Sequence, residues 1–148
     1  MTQAETDKRR LDELTIVEAI AFAFIGQPYK WGGDDPMAGF DCSGFVIELL
    51  KSVGKLTRSG DWTAAMLWES LSPVRRDEPY KGCLVFWKNS HGSVIHVEYC
   101  LDERLAIGAS GGGSSTVTVQ DAINRNAYIK VRPIKSRANI AGYADPWG

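Results

Sequence analysis

The sequence predicts an α+β fold, with helices in its first half and an antiparallel sheet in its second. Apolar residues recur at helical spacing up to about residue 71. Beyond residue 82 they come instead in short runs, at 83–87, 93–101 and 105–109. The segments between those runs, 89–92 and 102–104, are turn-forming and too short for a crossover, so neighbouring strands must reverse. The 148 residues suit one domain, 1–148, and hold neither an internal repeat nor an interdomain linker.

Residues 1–10 are polar and expected to be loose. Thr15 followed by Glu18 has the form of a capping box and opens a helix to about residue 25. Ile16, Ile20, Ala23 and Phe24 would share one face of it. Segment 26–41 is punctuated by Gly, Pro and Asp and reads as a loop. A second helix should run from Cys42 or Ser43 to Val53, stopped by Gly54, burying Phe45, Val46, Leu49, Leu50 and Val53. Asp61 is placed to cap a third helix over 62–71. After the three runs named above, 111–113 forms a flexible glycine loop, and strands follow at 116–119 and 128–134.

Composition narrows the function classes. At 44% apolar and 24% charged the chain is globular rather than disordered. Seventeen basic and eighteen acidic residues give a formal charge of −1, with no basic stripe to suit a nucleic acid. The longest apolar helical stretch, 16–25, is broken by Glu18 and too short to insert in a membrane. Three cysteines, Cys42, Cys83 and Cys100, cannot all pair within the chain, and no Cys-x-x-Cys suggests zinc. Cys83 and Cys100 lie in β-like runs and read as buried thiols, which fits synthesis in a reducing cytosol.

Cys42 differs. Phe-Asp-Cys-Ser-Gly-Phe-Val at 40–46 follows Pro-Tyr-Lys-Trp-Gly-Gly at 28–33, so the cysteine sits between a glycine-bent aromatic loop and an apolar helix. Helix N-terminal N–H groups favour a thiolate, and such settings bring a cysteine down to roughly 3.5–7.5. A nucleophilic cysteine needs a base, usually histidine, and the chain has two. His91 falls in a turn, where exposure needs no explanation. His96 falls mid-strand between Ile95 and Val97, where a buried ring must have a partner.

Those two segments, with Gly-x-Leu-Val-Phe at 82–86 and His-Val at 96–97, resemble the NlpC-type peptidoglycan cysteine endopeptidases over about 16–119. The resemblance implies a minimal papain-like fold, with an N-terminal helix bearing the cysteine packed on an antiparallel sheet bearing the histidine. It implies a cysteine hydrolase that cleaves amide bonds in peptidoglycan stem peptides, commonly between D-glutamate and a diamino acid, without a cofactor. Cys42 would be the nucleophile, His96 the base and Tyr29 an oxyanion donor beside the Cys42 N–H. Asp41 and Ser43 would contact the substrate's N-terminal side, and Trp31 would wall the cleft. Asp41 can cap the second helix as well, and core packing is the alternative reading of Trp31 and Tyr29.

The sequence departs from that family twelve residues after the histidine, where a polar group usually orients the ring. Gly108 stands there instead. The orienting bond is then expected from water, a backbone group or Ser110, with Glu98 placed beside the ring rather than beyond it. Gly108→Asn or Gly108→His is expected to be tolerated. An N-acetylmuramoyl-L-alanine amidase and a catalytically degenerate wall-binding homologue are the alternative readings. Residues 1–10 lack the apolar core of a Sec signal, so delivery to the wall is expected by a holin, a phage tail or a secretion system.

Overall fold

Residues 1–35, 39–56 and 62–148 are described by the computed structural model, and its first helix begins far earlier than expected. Helix α1 spans Gln3–Ala23, so residues 3–10 form its opening turns rather than a loose tail. The capping box is Thr2 and Glu5, not Thr15 and Glu18: the Glu5 N–H bonds Thr2 Oγ1 and the Thr2 N–H bonds Glu5 Oε2. Lys8 pairs with Asp12 and Arg9 with Glu13 at helical spacing, which supports a segment too polar to pack. The buried face is Leu14, Val17 and Ala21, joined by half-buried Ile20 and Phe24. Ile16 is exposed, because a stripe anchored on Leu14 turns it outward.

The loop that follows carries a two-stranded ribbon, β1 (Asp34–Asp35) with β2 (Gly39–Phe40). Helix α2 (Cys42–Ser52) follows, capped by Val53 and stopped at Gly54 with φ 73°, as expected. Phe45, Val46, Leu49 and Leu50 are buried, and Val53 packs at the edge of the same core. Phe40 packs tilted against Phe24 and edge-on to Phe45 at centroid distances of 5.4 and 5.8 Å, tying α1, the loop and α2 together. Helix α3 (Ala64–Ser70) is shorter than expected and capped by Thr63, whose Oγ1 accepts from the Met66 N–H. Asp61, expected as that cap, lies outside the described residues.

The sheet is built from β3 (Arg75–Arg76), β4 (Leu84–Lys88), β5 (Val94–Cys100) and β6 (Leu105–Ser110). After β6 comes helix α4 (Val119–Arg125), then β7 (Tyr128–Pro133) and β8 (Ile140–Ala144). These six strands lie in the order β3-β8-β4-β5-β6-β7, every pair antiparallel. The expected strand over 116–119 is absent: Thr118 caps α4 through a reciprocal bond with Asp121, and that local cap outweighs the β propensity of Val117 and Val119.

Strand alternation divides the buried residues into two layers. Leu84, Phe86, Val97, Tyr99 and Ile107 join the helices in the main core. Val85, Trp87, Cys100 and Ala106, with Cys83 and Ile134, make a smaller core on the opposite face. Cys83 and Cys100 are buried free thiols there. No described helix is long and apolar enough to cross a membrane.

Candidate active site

The N-terminus of α2 is held by the loop before it. The Asp41 N–H bonds the Gly33 carbonyl at 3.0 Å, and the Gly32 N–H bonds Asp41 Oδ2 at 3.0 Å. Asp41 Oδ1 accepts from the Gly44 N–H at 2.7 Å and from Ser43 Oγ at 3.3 Å. Asp41 is therefore the helix cap, and it also lines the cavity described below. The Gly33 carbonyl crosses so near α2 that a Cβ on Gly44 would lie 2.0 Å from its oxygen. Only glycine fits, which is the physical link between the two sequence segments.

This clamp places Cys42 at the first position of α2, on a cavity of about 650 Å³. Tyr29, Trp31, Asp41, Ser43 and His96 line it too, so the expected site residues are brought together, apart from Gly108 and Ser110. Trp31 is 52% exposed and walls the opening; it is not core. Tyr29 is buried, and a Cβ on Gly112 would meet its ring at 2.3 Å, so that glycine makes room for it. Burial, with Cys42 and Asp41 nearby, keeps the Tyr29 phenol protonated far above its ordinary range. At the helix start the Cys42 N–H has no intrahelical acceptor and is a ready donor. His91 is exposed in the turn between β4 and β5, away from the cavity.

His96 enters from β5. Its ring is buried, and Nε2 lies 2.6 Å from Glu98 Oε2. Arg132 on β7 donates from Nη2 to the same oxygen at 2.8 Å. Trp87, opposite His96 on β4, packs its indole 5.2 Å from the imidazole. Glu98, expected beside the ring rather than beyond it, is the group bonded to Nε2, and among the described residues no hydrogen bond runs from Ser110 to the ring. Glu98 reaches back along its own strand because Gly108, on neighbouring β6, leaves the room. A Cβ at Gly108 would lie 2.4 Å from Glu98 Cγ and 3.0 Å from its Cβ. Gly108→Asn or Gly108→His would therefore drive out the carboxylate, contrary to the tolerance expected from sequence.

Electrostatics fix the resting protonation. Burial tends to raise the Glu98 carboxyl, but the bonds from His96 and Arg132 prevail and hold it below its ordinary value. Burial lowers His96 from its ordinary value, and Glu98 opposes this only in part. The ring is neutral near pH 7, with its proton on Nε2 toward the carboxylate and Nδ1 left as the basic nitrogen. Burial and the Asp41 charge push the Cys42 thiol up to about 12, against backbone donors at Val97 and Ser43. This corrects the expected low value. A helix terminus supplies about 0.3–1 kcal/mol, under one pKa unit, whereas full burial shifts a group by several. The site at rest holds a protonated thiol, 4.0 Å from the Ile95 carbonyl, and a neutral imidazole on the same cavity.

Two features of the cavity carry no local signal in the sequence. Arg137 lines the cavity from the segment between β7 and β8, and Trp62 and Thr63 close it at the start of α3. Nothing in the sequence marks Arg137, since the chain brings it to the site across the sheet. Among the described residues no cluster of three His, Cys, Asp or Glu side chains is spaced to hold a metal ion.

A cysteine at a helix start, a histidine on the adjoining antiparallel sheet and a carboxylate behind that histidine define a papain-like site. Residues 26–133 match the NlpC/P60 family, and the chain belongs to that family. It is 36% identical over 74 residues to murein DD-endopeptidase MepH of Escherichia coli (strain K12), covering 49% of this chain and 27% of that protein. It is 33% identical over 112 residues to the probable peptidoglycan endopeptidase LytE of Bacillus subtilis (strain 168), covering 76% of this chain and 30% of LytE. The chain thus spans under a third of either relative. The crystal structure of the NlpC/p60 domain of peptidoglycan hydrolase SagA superposes with a TM-score of 0.62 at 27% identity, covering 89% of this chain and 97% of that one.

Proposed function

We propose that this chain is a cysteine hydrolase of peptidoglycan stem peptides, cutting the amide between D-glutamate and a diamino acid. The observation that carries the reading is one cavity lined by Cys42 and by a His96 whose Nε2 is already committed to Glu98. Nδ1 takes the thiol proton as Sγ attacks the scissile carbonyl. The imidazolium so formed sits beside the thiolate and is paired with Glu98, which offsets the burial that held the thiol protonated. The Cys42 N–H and the Tyr29 hydroxyl face the charge that develops on the carbonyl oxygen. Nδ1 then gives its proton to the leaving amine, the C–N bond breaks, and a thioester remains on Cys42. Water, deprotonated by His96, attacks the thioester and releases the acid and the thiol.

Family membership and the endopeptidase names of MepH and LytE support the substrate class. The degenerate wall-binding alternative rested on the empty place at Gly108, and Glu98 removes that support. Digestion of purified muropeptides with identification of the fragments by mass tests the reading and separates the D-glutamyl bond from a DD cross-link or a muramoyl-alanine amide. Cys42→Ala and His96→Ala should lower the rate by at least about 10³-fold, and His91→Ala should change it only a few-fold. Intact muropeptides after digestion with the wild-type protein would contradict the hydrolase reading.

A further inference from the structure

Arg137 lines the cavity with Cys42 and His96 but belongs to no part of the machinery described above. Its position is built rather than incidental. The Trp87 indole N–H donates to the Arg137 carbonyl at 3.2 Å, and the guanidinium lies 5.8 Å from the centroid of the same ring. Trp87 in turn packs on His96, so one side chain sets both the base and the arginine. Burial lowers the Arg137 guanidinium from its ordinary value. Among the described residues no hydrogen bond or ion pair engages its side chain. The two carboxylates of the site hydrogen-bond to other groups: Glu98 through Oε2 to His96 and Arg132, and Asp41 to the Gly44 and Gly32 N–H groups, so Glu98 reaches Arg137 only as a nearby charge. Arg137 also lies beyond the 26–133 segment that matches the family.

A partly dehydrated guanidinium with no hydrogen-bonded partner, facing a cavity, gains most from a planar anion that it can grip with two N–H groups. We propose that Arg137 is a specificity residue that binds a free carboxylate of the stem peptide next to the scissile amide. This rests on the hydrolase reading, since that substrate carries two such groups, one on D-glutamate and one on the diamino acid. Loss of a charge-assisted pair of this kind costs roughly 10- to 100-fold in kcat/KM.

The test uses three synthetic stem peptides: one with both carboxylates free, one amidated at D-glutamate and one amidated at the diamino acid. The wild-type protein should lose roughly 10- to 100-fold on one amidated peptide, which identifies the carboxylate recognised. Arg137→Gln should lose as much on the free peptide and then be nearly indifferent to that amidation. Arg137→Lys, which keeps the charge without the fork, should fall between, and unchanged thermal midpoints show that both variants fold. Wild-type indifference to both amidations overturns the proposal. So does an equal loss by Arg137→Gln on all three peptides, which would mean that it acts through Glu98 and His96 instead. No cleavage of any peptide by the wild-type protein would instead overturn the hydrolase reading itself.

Discussion

Glu98 decides what His96 can do. A buried imidazole with no partner would be neutral but free to present either nitrogen, and the Nε2 bond to Glu98 leaves Nδ1 as the only base. Because burial lowers His96, its neutral form persists below the ordinary value of about 6.5, and the acid limb of kcat/KM should lie below that pH. Glu98→Gln removes the charge that opposes this lowering, with Arg132 and Arg137 still close by. The limb should therefore move further down in pH while the plateau falls by up to roughly 10²-fold. A fall in rate with an unmoved limb would mean that Glu98 serves folding alone. Cys42 and His96 were legible because their signals are local: a helix start after a glycine loop, and a polar ring in an apolar strand. Glu98 and the gap at Gly108 were both visible in the sequence. What joins them is the pairing of β5 with β6, which brings a long side chain and a missing one together across two strands.

At the level of elements, α2 is the part the sequence described best, because its cap, stripe and glycine stop all lie within fourteen residues. The helix depends on the loop before it. An alanine methyl at Gly44 would sit 2.0 Å from the Gly33 oxygen, a backbone atom that cannot swing aside. Overpacking of this kind costs about 1–3 kcal/mol, so Gly44→Ala should lower the thermal midpoint by roughly 3–10 °C. It should also slow cleavage, because Asp41 and Cys42 shift with the clamp. An unchanged midpoint measured by calorimetry would show that the loop is not held as described. Helix α1 was misplaced because its first turns are polar, and apolar periodicity cannot see a helix supported by a cap and by i,i+4 ion pairs. Helix α4 was missed for a related reason: Thr118 and Asp121 form a capping box in a segment read as β-branched. Strand β8 carries a glycine that interrupts the alternating pattern, and its place between β3 and β4 follows only from tertiary pairing.

On the scale of the whole molecule, the order of helices before sheet was legible, because the hydrophobic period changes once along the chain. The division of the sheet into two apolar faces was not, since it depends on how six strands pair. That division matters for chemistry. Cys42 comes from the helical layer, while His96, Glu98 and Trp87 belong to strands whose opposite face packs under those helices, and the cavity opens where the two meet. In the proposed mechanism Cys42 carries the acyl group of a stem peptide between attack and hydrolysis. Acid-quenching the protein within its first turnovers and measuring its intact mass tests this directly. The expected result is an adduct with the mass of the peptide's N-terminal fragment less water, mapped to Cys42 after digestion and absent in Cys42→Ala. Turnover without any such adduct on Cys42, or with one on Cys83 or Cys100, would contradict it.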